Sequence, residues 1–376
     1  MRFLFSLAML TLLASSCTQA PEPSQTNPIS TTFSALTNWE RNDHTAALTA
    51  FLESCKIWDK RPKDKAVGCN NLKATVGQWQ QICTTARSVD VSQPRDIRNF
   101  FEQQFTPYPV PHDSEDDGLF TGYYIPEIRG SLSRGGPYQT PVYGKPADLQ
   151  SSKAYHTRAE INAGKLAGRG LEIAWVADPV QLFFIEIQGS GIIRLAEGGF
   201  LSIGYAAKNN QPYVALGRLM QKQGLLEAGS INLFSIKQWL YNHPDQAQKL
   251  MEQNPRFIFF RPLPDNKIRG AQGAALTAQR SLSVDRNYIP YGMPVYVQVE
   301  LAKTRFGPAT PFNQLMIAQD TGGAIKGKVR GDIYFGHGEL AEALAGHQAK
   351  RGRYTLLLPK FIASRGDIAT IKACNI

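Results

Sequence analysis

Two aspartates stand out as residues whose type and placing could do chemistry. Asp320 closes the apolar run Leu315–Asp320, and Asp332 opens the run Asp332–Phe335 twelve positions later, with Gly322, Gly323, Gly327 and Gly331 crowding the connection. A carboxyl group can act as a general acid or a general base when its pKa is suited to the task. Leu315–Asp320 reads as a buried strand that ends at its acid. Gly322 and Gly323 permit a sharp turn that residues with a Cβ would resist. Asp332–Phe335 reads as a second short strand, along which side chains alternate between two faces. Asp332 and Tyr334 then share one face, while Ile333 and Phe335 fill the core. A carboxyl beside an aromatic ring and backed by apolar residues sits where burial raises its pKa. Asp332 is therefore the first candidate for such chemistry.

Each acid has a plainer reading. An Asp beside a glycine is often a turn residue or a helix cap. Asp320 is expected to be structural, its carboxylate accepting from backbone N–H groups of the glycine-rich turn; support of Asp332, together with Tyr334, is the alternative. Asp320-Thr321-Gly322 is also the tripeptide of aspartic proteases, but those enzymes pair two such aspartates around one proton, and the chain contains the tripeptide once. Gln188-Gly189-Ser190-Gly191 lacks the lysine-bearing helix of a phosphate loop and the spacing of a nucleophile elbow. The six histidines are scattered without ligand spacing, so neither a metal nor a cofactor is expected.

The elements that must hold these acids belong to a chain of 376 residues, long enough for two domains with cores of their own. Frequent Gly (32) and Pro (23) with short apolar runs lean towards β structure with many turns. The net charge of +10 reads either as a solvated surface or as attraction to a polyanion. No basic helix, finger or RNP-like strand points to nucleic acid. Residues 1–16 read as a leader: Arg2, then an apolar stretch from Phe3 to Leu13 too short to span a bilayer, then Ala14-Ser15-Ser16 before Cys17. The pattern resembles a bacterial lipobox with Cys17 acylated, and Thr18 after it implies the outer membrane; a plain secretory signal is the alternative. Residues 17–36, rich in Pro, Ser, Thr and Gln at their start, read as a tether.

Helices are expected over Asp43–Trp58, Gln78–Ser88 and Pro94–Glu102. Cys55, Cys69, Cys83 and Cys374 form an even set, which in an oxidising compartment reads as two disulfides with three pairings open. Cys55–Cys83, joining two helices, is preferred, leaving Cys69–Cys374. Past the polar hinge that begins at His112, short strands are expected at Phe120–Tyr124, Thr140–Tyr143, Leu171–Val176, Gln181–Gln188, Ile192–Leu195 and Phe257–Arg261, with helices near Arg158–Ala163, Pro212–Gln223 and Ile236–Tyr241. The remainder reads as strands at Gly273–Arg280, Arg286–Ile289, Val295–Glu300 and Tyr354–Leu358 beside the two acidic runs. A helix over Glu339–Lys350 is expected to be closed by Gly352.

The stretch from Leu315 to Gly336 resembles the signature of the membrane-bound lytic murein transglycosylase A family, with its C-terminal 3D domain. Gly118-Leu-Phe-Thr-Gly-Tyr-Tyr-Ile-Pro-Glu127, Thr157–Ile161, Phe184–Gly191 and Gly204–Asn209 are similar to family segments in the family order. The resemblance covers most of the chain from about Trp39 onward. It implies a mainly β protein in which a double-psi β-barrel with N-terminal helices (residues 37–117 and 262–376) carries an inserted β-rich domain (residues 118–261), with a substrate groove between the two. It implies a peptidoglycan lytic exotransglycosylase, a lyase that cuts between N-acetylmuramic acid and N-acetylglucosamine and leaves 1,6-anhydromuramic acid ends. Asp332 takes the family's position of the single acid and base. Gln188 and Ser190 fall in a segment that lines the glycan groove, and Tyr124, Trp175, Tyr205 and Lys326 are further candidate sugar contacts. The partners implied are glycan strands, the outer membrane through Cys17 on its periplasmic side, and cell-wall synthesis or division proteins. A two-carboxylate glycoside hydrolase and a non-catalytic lipoprotein that grips glycan are the rival classes.

Overall fold

A computed structural model describes residues 30–111, 118–227, 231–365, 371 and 373–374. The leader, Cys17, most of the tether and residues 112–117 of the polar hinge lie outside the described residues.

Three helices open the fold. α1 (His44–Trp58) starts where the Asp43 carboxylate accepts from Ala46 N, and α2 (Val76–Arg87) comes after the short paired strands β1 (Ala66–Val67) and β2 (Ala74–Thr75). Thr75 and Gln78 form a capping box at the start of α2. α3 (Pro94–Gln104) has Pro at its first turn and runs straight into β3 (Phe105–Pro109). Phe51, Trp58, Trp79, Phe101 and Phe105 are fully buried against one another and against the strands beyond. The disulfide Cys55–Cys83 crosslinks α1 to α2, and Cys69–Cys374 ties the loop after β1 to the chain's last described residue.

The chain then runs β4 (Leu119–Ile125), β5 (Glu127–Ser131), β6 (Thr140–Tyr143), α4 (Arg158–Glu160), β7 (Glu172–Val176), α5 (Pro179–Gln188), β8 (Ser190–Leu195), β9 (Phe200–Lys208), α6 (Leu216–Lys222), α7 (Leu233–Asn242), α8 (Pro244–Glu252) and β10 (Ile258–Pro262). It ends with β11 (Ser281–Val284), β12 (Pro294–Leu301), β13 (Thr310–Asp320), β14 (Arg330–His337), α9 (Glu339–His347), β15 (Ala349–Pro359) and α10 (Lys360–Ala363).

Six of these strands close into a barrel in the order β12-β13-β11-β14-β4-β15, sealed by β15 pairing back onto β12, with β3 added outside β15. A second sheet, β10-β9-β8-β5-β7-β6, belongs to the inserted part. The sequence pattern assigns β4 to the inserted unit, but β4 is hydrogen-bonded into the barrel, parallel to β14 and antiparallel to β15, so the chain leaves the barrel only after Ile125.

Several local expectations change. Gln181–Gln188 is helical in α5, because a short apolar run is equally compatible with a buried helix and its ends decide. Asp178 accepts from Gln181 N, Pro179 occupies the first turn, and Gly189 at φ 81° ends the helix in the left-handed conformation. Gly273–Arg280 is a series of turns, with Gln279 itself at φ 57°. Arg286–Ile289 is also a turn, built on the Asp285 carboxylate, which accepts from Asn287 N and Gly327 N. α9 stops at His347, and Gly352 lies within β15 rather than at a helix end.

Candidate functional site

Cross-strand register brings the two acids together. Ser283 on β11 is the register partner of Asp320 on its parallel side and of Asp332 on its antiparallel side, and Asp332 is in turn opposite Thr121 on β4. Asp320, Ser283, Asp332 and Thr121 thus form one row across four neighbouring strands. Ile333 and Leu282, one position on, point the other way and are fully buried in the barrel core. Gly331 lets this row close up: a Cβ there would lie 2.7 Å from the ring of Phe120.

Asp332 is half-buried, and its Oδ1 accepts the Thr121 hydroxyl at 2.6 Å. Burial raises the Asp332 pKa above the usual carboxyl range, and the neighbouring Asp320 charge pushes the same way; the Thr121 hydrogen bond and the Arg330 charge oppose it. Arg330 Nη2 donates to the Thr121 hydroxyl at 2.9 Å. Among the described residues, Asp332 Oδ2 has no hydrogen-bond partner.

Asp320 has a different environment. Its Oδ1 accepts from Ala271 N at 2.8 Å and from Thr321 N at 2.9 Å, and its Oδ2 accepts the Tyr123 hydroxyl at 2.9 Å. Both oxygens are engaged, so this carboxylate organises the turn after β13 and fixes Tyr123. Burial, then the Asp320 charge, raise the Tyr123 phenol well above its ordinary pKa, so it stays a donor. Tyr334 stands on the same face of β14 as Asp332, its ring 5.2 Å from that of Tyr123, and burial pushes its pKa up to about 12.

That face looks towards the inserted part. Tyr334 packs with Ile125 and with Ile192 of β8, and strand alternation puts Ser190 on the same side of β8 as Ile192. Gln188 ends α5 exposed, and Ser190 lies opposite Gly204, next to the half-exposed Tyr205 on β9. These three expected sugar contacts therefore cluster at the end of β8 nearest α5. His337 at the end of β14 contacts Glu127 through Nδ1 at 2.9 Å, and Glu127 also pairs with Arg194.

The other candidates fall elsewhere. Tyr124 is only 7% exposed, and its hydroxyl donates to Glu342 of α9, which also accepts from Lys237 of α7 at 2.8 Å. It thus sits in a polar junction between barrel and insert, with its ring in the core. Lys326 is exposed in the loop between β13 and β14. Trp175 lines a cavity of about 760 Å³ within the inserted part, together with Arg134, Tyr143, Asp178 and Tyr241, and neither acid borders that cavity. Among the described residues, no group of three or more His, Cys, Asp or Glu side chains could hold a metal, and no helix is long and apolar enough to cross a membrane.

Sequence reasoning misses four members of the site. Thr121 and Tyr123 lie in the Gly118–Glu127 segment, where the alternation with Phe120 and Gly122 is a usable signal. Arg330 stands two residues before Asp332 and so on its face of the strand. Ser283 carries no signal in its own segment, since only the pairing of β11 with both acidic strands places it.

The chain matches the family model described as the MltA specific insert domain over residues 119–261, and the 3D domain over residues 280–358. It is 36% identical over 245 residues to the membrane-bound lytic murein transglycosylase A of Vibrio cholerae, which is 64% of this chain and 65% of that protein. The matched stretch is just under two thirds of that relative's length. MltA from Neisseria gonorrhoeae has a TM-score of 0.74 at 30% identity, over 90% of this chain and 94% of the other. Escherichia coli MltA with bound chitohexaose has a TM-score of 0.56 at 28% identity, over 75% of this chain and 82% of the other.

Proposed function

Because the chain belongs to the membrane-bound lytic murein transglycosylase A family, we propose that it cleaves the β-1,4 bond between N-acetylmuramic acid and N-acetylglucosamine in peptidoglycan, with Asp332 as the single acid and base. The observation that carries the reading is the contrast between the two carboxyls. Asp332 has a raised pKa and one oxygen that has no partner among the described residues, whereas both oxygens of Asp320 are taken. Asp332 protonates the glycosidic oxygen as its bond to the muramic C1 breaks. The resulting carboxylate then takes the proton of the muramic C6 hydroxyl, whose oxygen forms the new bond to C1. Atoms balance without water, and the nucleophile is already tethered to its target.

The remaining parts of the reading come from the same family. The barrel is of the double-psi type, and the glycan lies in a groove between it and the inserted part, where Gln188, Ser190 and Tyr205 meet the sugars and Lys326 reaches in from its loop. A relative solved with bound chitohexaose supports glycan binding by this fold. Acylation of Cys17 anchors the enzyme to the periplasmic side of the outer membrane.

A two-carboxylate hydrolase needs a second acid free to activate water or attack the sugar, and the hydrogen bonds around Asp320 speak against it. Mass spectrometry of products from purified peptidoglycan separates the classes. Anhydromuramic ends that vanish in a folded Asp332→Asn enzyme are the expected result. Reducing ends would select hydrolysis, and intact strands a glycan-gripping protein.

A further inference from the structure

We infer that Thr121 and Arg330 are positioning residues that assign separate tasks to the two oxygens of Asp332, holding Oδ1 as a fixed acceptor and leaving Oδ2 as the oxygen through which the proton passes in both steps. The inference rests on the reading of Asp332 as acid and base, and adds which atom does the work.

The direction of the hydrogen bonds is set by donor chemistry. A guanidinium has only donors, so Arg330 Nη2, 2.9 Å from Thr121 Oγ1, must donate to that oxygen. A threonine hydroxyl has one hydrogen, and the approaching guanidinium turns it away from itself. Its one acceptor among the described residues is Asp332 Oδ1 at 2.6 Å, a length suited to a hydroxyl donating to a carboxylate. Arg330 cannot easily swing aside, because its Nη1 donates to the carbonyls of Leu119 and Gly331. Those carbonyls belong to β4 and β14, the two strands that carry Thr121 and Asp332 in register. The chain Arg330→Thr121→Asp332 is thus built from one pair of strands. A proton on Oδ1 would have to turn the threonine hydrogen back against a cation, so the acid proton resides on Oδ2.

The groups facing Asp332 divide by effect. Burial favours the acid form, as does Asp320 on β13; the Thr121 hydroxyl of β4 and Arg330 on β14 favour the carboxylate. The Tyr123 phenol of β4 also faces it, as a neutral donor, and Ser283 of β11 adds no charge. The relay offsets part of the desolvation, which keeps Asp332 able to lose its proton in the first step.

The test is Thr121→Val, which keeps the side-chain shape and removes the donor. The midpoint of the Asp332 Cγ titration, followed by carbon-13 NMR and assigned by its loss in Asp332→Asn, should rise by about one to two pH units, the worth of a hydrogen bond to a charged acceptor. The alkaline limb of peptidoglycan turnover should move with it, and the plateau rate should fall roughly tenfold as the carboxyl loses its fixed orientation. Thr121→Ser should restore both. If Thr121→Val fails to fold, Thr121→Ala takes its place. A folded variant whose midpoint and limb both stay at the wild-type positions overturns the inference, even if its rate falls at every pH. An Asp332→Asn enzyme as active as wild type, with the midpoint shifted as expected in Thr121→Val, instead overturns the reading of Asp332 as acid and base.

Discussion

The inserted part should depend on a single buried ion pair. Arg158 and Glu186 are each 4% exposed, and they meet twice, with Nη1 3.1 Å from Oε1 and Nη2 2.9 Å from Oε2. Arg158 also donates to the carbonyls of Asn254 and Arg256, while Glu186 accepts from Ile258 N. The guanidinium lies over the rings of Phe183 and Phe257, 4.7 and 5.3 Å from their centroids. One pair therefore ties the start of α4 to α5 and to the chain entering β10. Glu186→Ala leaves a buried cation with two donors unmet, and losing one partner of such a pair costs ~3–5 kcal/mol. Glu186→Gln keeps one hydrogen bond and should cost less, ~1–3 kcal/mol. Replacing both partners, as Arg158→Met with Glu186→Leu, should recover most of the loss, since no charge is then stranded. Urea unfolding gives the magnitudes, and hydrogen exchange gives the place. Protection should fall in β7 to β10 while the amides of β12 and β13 keep theirs. A Glu186→Ala protein within ~0.5 kcal/mol of wild type, or one that loses protection equally in the barrel, would refute the argument.

The same hydrogen bonds and charges, with one disulfide, carry three further predictions. Asp320→Asn replaces a charged acceptor of three hydrogen bonds by an amide with one acceptor oxygen, so the Tyr123 hydroxyl loses its carboxylate partner; melting temperature should drop by the equivalent of ~1–3 kcal/mol, and an unchanged melting curve would show that the turn does not need the acid. Asp332 has a raised folded pKa, so its stabilising contribution is present at acid pH and lost as pH rises through that pKa; Asp332→Asn should therefore match wild type near pH ~3 and become the more stable protein towards pH ~8, and the opposite ordering in calorimetry would contradict the sign. Cys55→Ser opens a crosslink between residues separated by 28 positions, and the chain-entropy account gives a cost of ~3–4 kcal/mol, read by urea unfolding of the folded variant beside wild type.

The strands that end and begin at Asp320 and Asp332 are legible because local pattern dictates them: apolar runs, a glycine-rich connection, and alternation that separates Asp332 from Ile333. α1 to α3 are legible for the same reason, through caps and helical spacing. α5 is easily misread because its run of Leu182, Phe183, Phe184 and Ile185 is apolar in either conformation, and only Asp178, Pro179 and Gly189 at its ends decide. Register is held by no local pattern. β4 looks like the first strand of the inserted unit, yet it completes the barrel beside β14, 211 residues further along the chain at the Thr121 to Asp332 contact.

The family-like segments take on distinct roles once register is known. Arg158 and Glu186 come from two of them and meet in the core of the inserted part, where they shape it without reaching the acids. Thr121 and Tyr123 come from a third and reach straight across to Asp332 and Asp320. Gln188 and Ser190 belong to the same segment as Glu186 but emerge at the end of α5, where Gly189 turns the chain outward and into β8. A helix there, rather than the expected strand, lets one short segment anchor its acid in the core, expose Gln188 at its end and place Ser190 on the side of β8 where Ile192 meets Tyr334. Under the proposed function, the segment Phe184–Gly191 serves both the stability of the inserted part and the approach to the acids, and a substitution at Glu186 should disturb glycan binding only through the first.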